Sequence, residues 1–386
     1  MIIFCKIGVK LPSSYPVKSQ LARLFFHHFR EQPESVASLR GDGSDRHYYR
    51  LSAKNHSAIG VFGPNNAENE AFLTLSHHFR NHGLPVPEIY CSDLSKNIYL
   101  EQDLGDITLI SWLADQRVQY DLTEKAVDMY RAVLRWLPHF QIRVGRNLDY
   151  TFCYQHSDFG YDSMIWDVNY FKQRFLKPFY RHRLDEMALQ RDVERLIRFL
   201  MEENAIFFLY RDFQSRNIMI YENRPYFLDY QSGRKGALQY DVASLLYDAK
   251  AQIPEETRQE LLSFYLDEAE HQFELIGREL RDGSSAISYR FNRASFLRYF
   301  DGFVLIRMMQ ALGAFGYLSL VKKKRQFLAI IPLVLKNAEI LLERQTILDR
   351  LKTLQSLFVN LVDDESLKKL KSESDLERIS NGQHYQ

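Results

Sequence analysis

Apolar and polar residues alternate with a period of two early in the chain, and the spacing then changes to that of helices. Three short stretches carry the strand period: Glu34–Leu39, His47–Leu51 and Ser57–Phe62. The turn-rich run Arg40-Gly-Asp-Gly-Ser-Asp45 separates the first two, and Gly63 to Asn66 breaks the pattern after the third. A helix is predicted ahead of them, from Ser19 to about Gln32, with Leu21, Leu24, Phe25 and Phe29 at helical spacing. A second, from Glu68 to His82, carries Phe72, Leu75 and Phe79 on one face. Strands at Glu88–Cys91 and Asn97–Glu101 follow, the latter running into Asp103-Leu-Gly-Asp106. The sum is a small, mostly antiparallel sheet with one helix packed on it.

From Leu109 onward helical patterns dominate. They span about Thr123–Phe140, Ser163–Tyr180 and Leu184–Glu202, resume at Val242, and continue over Glu255–Leu280 and Ser295–Gly313. A further pattern runs over Gln326–Arg344, where Pro332 is placed to begin a second helix, and another ends at Leu361. Residues 1 to 17, with Pro12 and Pro16, fit no pattern and read as a loose arm; residues 363–386 read as a polar, frayed tail. This divides the chain into an arm and helix (1–33), a β-rich lobe (34–104), a helical lobe (105–362) and the tail (363–386), an α+β organisation with two lobes.

Bulk properties remove several function classes. At 386 residues and 46% hydrophobic content the chain can bury a large core, and its 27 Phe and 23 Tyr suit a thick one. A formal charge of +1 gives no basic footprint for nucleic acid. Cys5, Cys91 and Cys153 are far apart, with no metal or disulfide spacing, which fits a reducing, cytoplasmic setting. The apolar run at Met1–Lys6 is too short for a signal peptide, and the absence of about 18 consecutive uncharged apolar residues predicts no membrane span.

Candidate chemistry concentrates in Phe208-Leu-Tyr-Arg-Asp212-Phe-Gln-Ser-Arg-Asn217, followed by Tyr226-Phe-Leu-Asp229. The spacing of Asp212 and Asn217 alone would occur roughly once by chance in a chain this long. Its context is more informative. Ile218–Tyr221 and Pro225–Leu228 read as strands, with Glu222-Asn223-Arg224 as their turn. Such a hairpin returns Asp229 to the end where Asn217 sits. Phosphoryl transfer needs this set: one carboxylate to orient and deprotonate a hydroxyl, an amide and a second carboxylate to hold Mg²⁺ on nucleotide phosphates. An N-cap Asp, a turn Asn and a strand-end Asp would give the same letters.

These residues resemble the aminoglycoside phosphotransferase and choline kinase branch of the protein-kinase-like fold, whose catalytic loop reads H-x-D-x-x-x-x-N. Asp229-Tyr-Gln-Ser-Gly and the later Tyr240-Asp241-Val are also family-like, with Asp241 opening a helix beneath the site. Closer still is the bacterial subgroup of anomeric N-acetylmuramate or N-acetylglucosamine kinases. The matching stretches are Ser44-Asp-Arg46-His-Tyr-Tyr-Arg50, Asp103-Leu-Gly105, the catalytic loop, and Leu305-Ile-Arg-Met-Met-Gln310-Ala-Leu-Gly313.

The resemblance implies a small antiparallel N-lobe over a mainly helical C-lobe, with ATP and Mg²⁺ between them and a small-molecule, sugar-like acceptor. It makes Asp212 the base, places Arg216 beside the phosphates, and makes Asn217 and Asp229 the metal ligands. Gly41, Gly43 and Ser44 would cover the phosphates, and Glu101 to Leu104 would meet the adenine edge. Two departures stand out. Tyr210 replaces the usual His, and strand Ala58–Phe62 lacks the usual phosphate-gripping Lys, which leaves Arg46 or Arg50 to supply that charge. Glu70 occupies the expected place of the Lys partner. Asp162 and Trp166 are acceptor candidates, as is Arg234 for an acidic substrate; a capped helix start and a solvated turn are the alternatives. An aminoglycoside or amino-alcohol kinase, or an inactive nucleotide-binding scaffold, are the competing functions. The sequence leaves the oligomeric state open.

Overall fold

The computed structural model describes residues 14–39, 45–118, 121–281, 290–344 and 346–370. Helix α1 (Ser14–Phe29) precedes β1 (Ser35–Leu39), β2 (His47–Ser52) and β3 (Ser57–Phe62); α2 (Asn66–Asn81), β4 (Ile89–Asp93) and β5 (Ile98–Gln102) follow. The strands form one five-stranded sheet in the order β1-β2-β3-β5-β4, each neighbouring pair antiparallel. Strand alternation sorts its side chains onto two buried faces. Tyr49, Leu51, Ala58, Ile98 and Leu100 pack beneath Val17, Leu21 and Phe25 of α1. Val61 and Tyr99 face the other way and join Phe72, Leu75 and Phe79 of α2 in the main core.

Two helices therefore cover the sheet where the sequence predicted one, because both of its faces are apolar. Helix α1 also begins earlier than expected and takes in part of the predicted arm. Pro16 sits in its first turn, where a missing N–H costs nothing.

The connector after β5 leads to α3 (Leu109–Ala114), the short pair β6 (Arg117–Val118) and β7 (Asp121–Leu122), and α4 (Glu124–Pro138). Then come α5 (Tyr161–Phe171), α6 (Lys177–Phe179), α7 (Glu186–Leu200), β8 (Phe207–Leu209), β9 (Ile218–Tyr221), β10 (Arg224–Phe227) and β11 (Arg234–Gly236). The chain closes with α8 (Gln239–Leu246), α9 (Glu255–Arg281), α10 (Arg293–Leu320), α11 (Ile331–Leu342), α12 (Lys352–Asp363) and α13 (Glu365–Lys368). The pattern predicted over 123–140 is α4, which runs on into a π turn at His139–Val144, while that predicted over 163–180 is interrupted by a π turn at Lys172–Leu176. Pro332 does lie in the first turn of α11, as its position predicted.

Helix α10 is the axis of the large lobe. At 28 residues it is long and apolar enough by composition to cross a membrane, yet most of it is buried against α5, α8 and α11. It is a central core helix and carries a buried arginine, Arg307. It crosses the α5 region closely because it presents glycine there. A Cβ on Gly313 would lie 2.9 Å from the Tyr170 ring, and one on Gly316 only 2.1 Å from the Arg174 carbonyl oxygen. Backbone cannot yield as a side-chain tip can, so Gly316→Ala should push α10 away from the turn after α5. The expected loss is about 1–3 kcal/mol of stability, the usual cost of overpacking, read by urea denaturation.

Candidate active site

The hairpin of β9 and β10 builds the site. Its turn is two residues, Glu222 and Asn223, with φ of 50° and 59°. Such left-handed pairs match the twist of the flanking strands. Arg224, predicted in the turn, instead pairs with Tyr221 in the ladder. The register ends with Phe227 opposite Ile218, and Leu228 N donates to Asn217 O at 2.9 Å. Asp229 is thereby delivered beside Asn217. The Asn217 amide nitrogen donates to Asp229 Oδ2 at 3.1 Å and to the Asp212 carbonyl at 2.8 Å. Gln214 Nε2 donates to Asp212 Oδ1 at 3.1 Å, and Gln231 Nε2 donates to Asp229 Oδ1 at 2.7 Å.

Three contacts hold the loop in place. Tyr210 is buried and its hydroxyl donates to Leu228 O at 2.5 Å, so the residue standing for the family's His both packs and hydrogen-bonds. Asp241, fully buried at the start of α8, accepts from Tyr210 N at 2.7 Å and Arg211 N at 3.0 Å. Arg211 has φ 80° and pairs through both nitrogens with buried Asp167 of α5, at 2.8 and 2.6 Å. Its guanidinium also lies over Phe159 and Tyr240, 4.7 and 5.1 Å from the ring centres.

On the sheet side, Arg46 is buried, with Nε 3.3 Å from Glu68 Oε1 and its guanidinium 5.2 Å from the Phe72 ring centre. Glu68 Oε1 also lies 3.4 Å from Gln231 Nε2, the donor to Asp229. Glu68, not Glu70, is thus the acid partnering the cation. Glu68 shares the helix face of Phe72, Leu75 and Phe79, whereas Glu70 is exposed and bonded to Asn66. That helical phase was the available signal.

Arg50 is engaged elsewhere, which corrects its assignment to the nucleotide. Its guanidinium donates to Asp103 at 2.8 and 3.0 Å, to Asp106 at 2.9 Å and to Gly105 O at 3.1 Å, clamping the connector between the lobes. Leu104 is buried within that connector.

Glu101 is buried below Arg46, and its Oε2 has no hydrogen-bond partner among the described residues. Burial pushes its carboxyl up to about 8 against the pull of Arg46. Arg216 makes no ion pair among the described residues, and its Nε is buried without a hydrogen-bond partner. Arg234, the candidate for an acidic substrate, is buried in β11 and donates to Ser232 O and Gln155 Oε1, which removes the solvated-turn alternative. Asp162 is exposed on the first turn of α5. Trp166, 58% exposed, stacks on Tyr170 at 5.0 Å. Gly41, Gly43 and Ser44 lie outside the described residues.

The donor set suits magnesium. Asn217 uses its amide nitrogen within the protein, which leaves its carbonyl oxygen to a ligand beside the Asp229 carboxylate, and Mg²⁺ takes hard oxygen ligands. No group of three or more His, Cys, Asp or Glu forms a metal cage among the described residues. A magnesium site completed by substrate phosphates needs no such cage.

A family model described as a phosphotransferase enzyme family matches residues 35–276. An N-acetylmuramate/N-acetylglucosamine kinase from Neisseria meningitidis serogroup B is 23% identical over 347 residues, 88% of this chain and 94% of that protein. A protein of the same name from Pseudomonas aeruginosa is 26% identical over 232 residues, 58% of this chain and 62% of its own length. Among solved structures, an amicoumacin kinase in complex with AMP-PNP, Ca²⁺ and Ami superposes with a TM-score of 0.53 at 11% identity, covering 92% of this chain and 98% of that one. At that identity the likeness is one of fold: a two-lobed, kinase-like α+β architecture.

The Glu101 carboxyl supplies a pH test. Its folded-state value lies above that of an unfolded glutamate, so the folded state holds the extra proton. Stability then falls as pH rises from about 4.5 towards about 8. Glu101→Gln should remove that part of the fall. Urea unfolding at pH 5 and pH 8 should show the wild type losing about 1–3 kcal/mol more than the variant over this window.

Proposed function

This chain belongs to the phosphotransferase enzyme family, and we propose that it is a Mg-ATP-dependent small-molecule kinase acting on the anomeric hydroxyl of an N-acetylated amino sugar. The convergence of Asp212, Asn217 and Asp229 at one end of a hairpin carries the kinase reading. The names of its curated relatives, one of them matched over most of its length, support the sugar.

In this reading Asp212, its Oδ1 held by Gln214, accepts a hydrogen bond from the acceptor hydroxyl and fixes its approach. As the new O–P bond forms and the β–γ bridge breaks, Asp212 takes the hydroxyl proton and ADP leaves with the bridging oxygen. Arg46 supplies the cation that β3 lacks. Glu68 and Phe72 fix its guanidinium from two sides, and its fork suits phosphate oxygens. Arg216, with its buried and unsatisfied Nε, adds positive charge beside Asn217. Asn217 and Asp229 would hold Mg²⁺, which neutralises phosphate charge when bound.

ADP release should be measured across N-acetylated sugars, amino sugars, choline and aminoglycosides. Turnover is expected with the N-acetylated sugars; turnover with none of the panel would favour a scaffold. Asp212→Ala should lower kcat by about 10²–10⁴-fold, and an unchanged rate would remove Asp212 from the mechanism. Arg46→Ala should raise the KM for ATP by about tenfold or more, the scale of lost charged hydrogen bonds. An unchanged KM would leave the missing lysine without a substitute.

A further inference from the structure

We propose that a row of aromatic side chains on α5 and α10, made of Trp166, Tyr170 and Tyr317, is the platform on which the acceptor sugar stacks. This rests on the kinase reading above.

The three rings form one continuous surface. Trp166 lies 5.0 Å from Tyr170, centre to centre, with the planes 12° apart, and Tyr170 lies 6.1 Å from Tyr317. Trp166 and Tyr170 are four residues apart on α5, so one stands above the other. Gly313 lets α10 approach the Tyr170 ring, and Tyr317, one helical turn further on, extends the row. These rings are not sealed in the core. Trp166 is 58% exposed, and Tyr170 and Tyr317 are half-buried. A tryptophan that only filled the core would have no need of an open face. Flat and partly solvated, the row matches the apolar C–H face of a sugar ring.

Two fixed points place the row beside the chemistry. Asp167, the residue after Trp166, holds both terminal nitrogens of Arg211 at 2.8 and 2.6 Å, and Arg211 immediately precedes the proposed base. At the other end, the Tyr317 carbonyl accepts Val321 N and Lys322 N at 2.9 and 3.1 Å. The Lys322 side chain then reaches Asp45 of the small lobe at 3.5 Å. Asp45 ends the turn-rich run expected to cover the phosphates. The row thus runs from the catalytic loop towards that run. An acceptor oxygen in line with the breaking bond approaches the γ-phosphate from the Asp212 side, the space this edge flanks.

Charge narrows the occupant. Aromatic surfaces attract organic cations as well as sugars. Here Arg174 already lies over Tyr317, with its guanidinium 5.2 Å from the ring centre. A choline-like cation would meet it as a like charge, whereas a neutral or acidic sugar would not.

Sugar binding can be read apart from phosphoryl transfer. The chain has three tryptophans, and Trp112 and Trp136 lie on α3 and α4, away from this row. N-acetylglucosamine titrated into the wild type should change tryptophan emission saturably, and Trp166→Phe should remove that change. In steady-state assays Trp166→Ala should raise the KM for N-acetylglucosamine about 10- to 100-fold with KM for ATP unchanged, and Trp166→Phe, which keeps a ring, should lose less. An unchanged sugar KM in Trp166→Ala, an equal rise in the KM for ATP, an emission change retained by Trp166→Phe, or no emission change in a wild type that turns the sugar over would each overturn the platform. Should Tm show that Trp166→Ala does not fold, the Trp166→Phe arm decides alone. Saturable binding without turnover would sink the kinase reading and keep the sugar on the platform. Neither binding nor turnover would overturn both, an outcome that the wild-type arm reports by itself.

Discussion

A carboxylate buried beneath the catalytic loop accepts hydrogen bonds from two consecutive backbone amides, and the geometry of the site hangs on it. Asp241 receives Tyr210 N, Arg211 N and Gln141 Nε2, while Gln141 is itself held by the Tyr265 hydroxyl at 2.7 Å. Burial pushes the Asp241 carboxyl up to about 7, and these donors pull the other way. Two adjacent N–H groups can point at one acceptor only if the chain between them bends sharply. The left-handed φ of Arg211 is that bend, and it turns Asp212 out of the core. Glycine would take this conformation more readily. Arginine occupies it with its guanidinium locked against Asp167, so α5 is fastened to the loop at its tightest point.

A polar relay then crosses between the lobes. Arg46 meets Glu68, Glu68 meets Gln231, Gln231 meets Asp229, Asp229 meets Asn217, and Asn217 meets the Asp212 carbonyl. Only the first two belong to the small lobe. A shift of the sheet relative to the helical lobe must therefore stretch the Glu68–Gln231 contact at 3.4 Å, the longest hydrogen bond in the series. Arg50 restrains the same movement from the connector.

What could be read from the sequence follows the range of the forces involved. The hairpin and the sheet strands were legible because alternation and a short turn act between neighbours. The two-lobed arrangement followed from the order of those parts, and its kinase-like character from the resemblance carried by the catalytic loop. Arg46 and Arg50 could not be told apart at that level. Both stand at alternate positions of one extended run, but Arg50 lies two repeats, about 14 Å, further along it, beside the connector acids. Glu68 was legible in principle, since it shares a stripe with Phe72 and Phe79, and was passed over for Glu70. Helix α1 itself was legible, but its docking on the sheet was not, because the face it packs on only exists once the strands are paired.

Helix α10 divides two duties along its length. Gly313 and Gly316 admit no side chain, because ring and backbone atoms of the α5 segment already occupy the space. Met308, Ala311 and Phe315 line a small cavity beside α8. The glycine edge therefore admits no larger residue without moving the helix, while the other edge has a little free space beside it. Substitution along this one helix is thus constrained unevenly, the α5 side being the less tolerant, while the hairpin, the Asp241 anchor and the cross-lobe relay lie outside both edges.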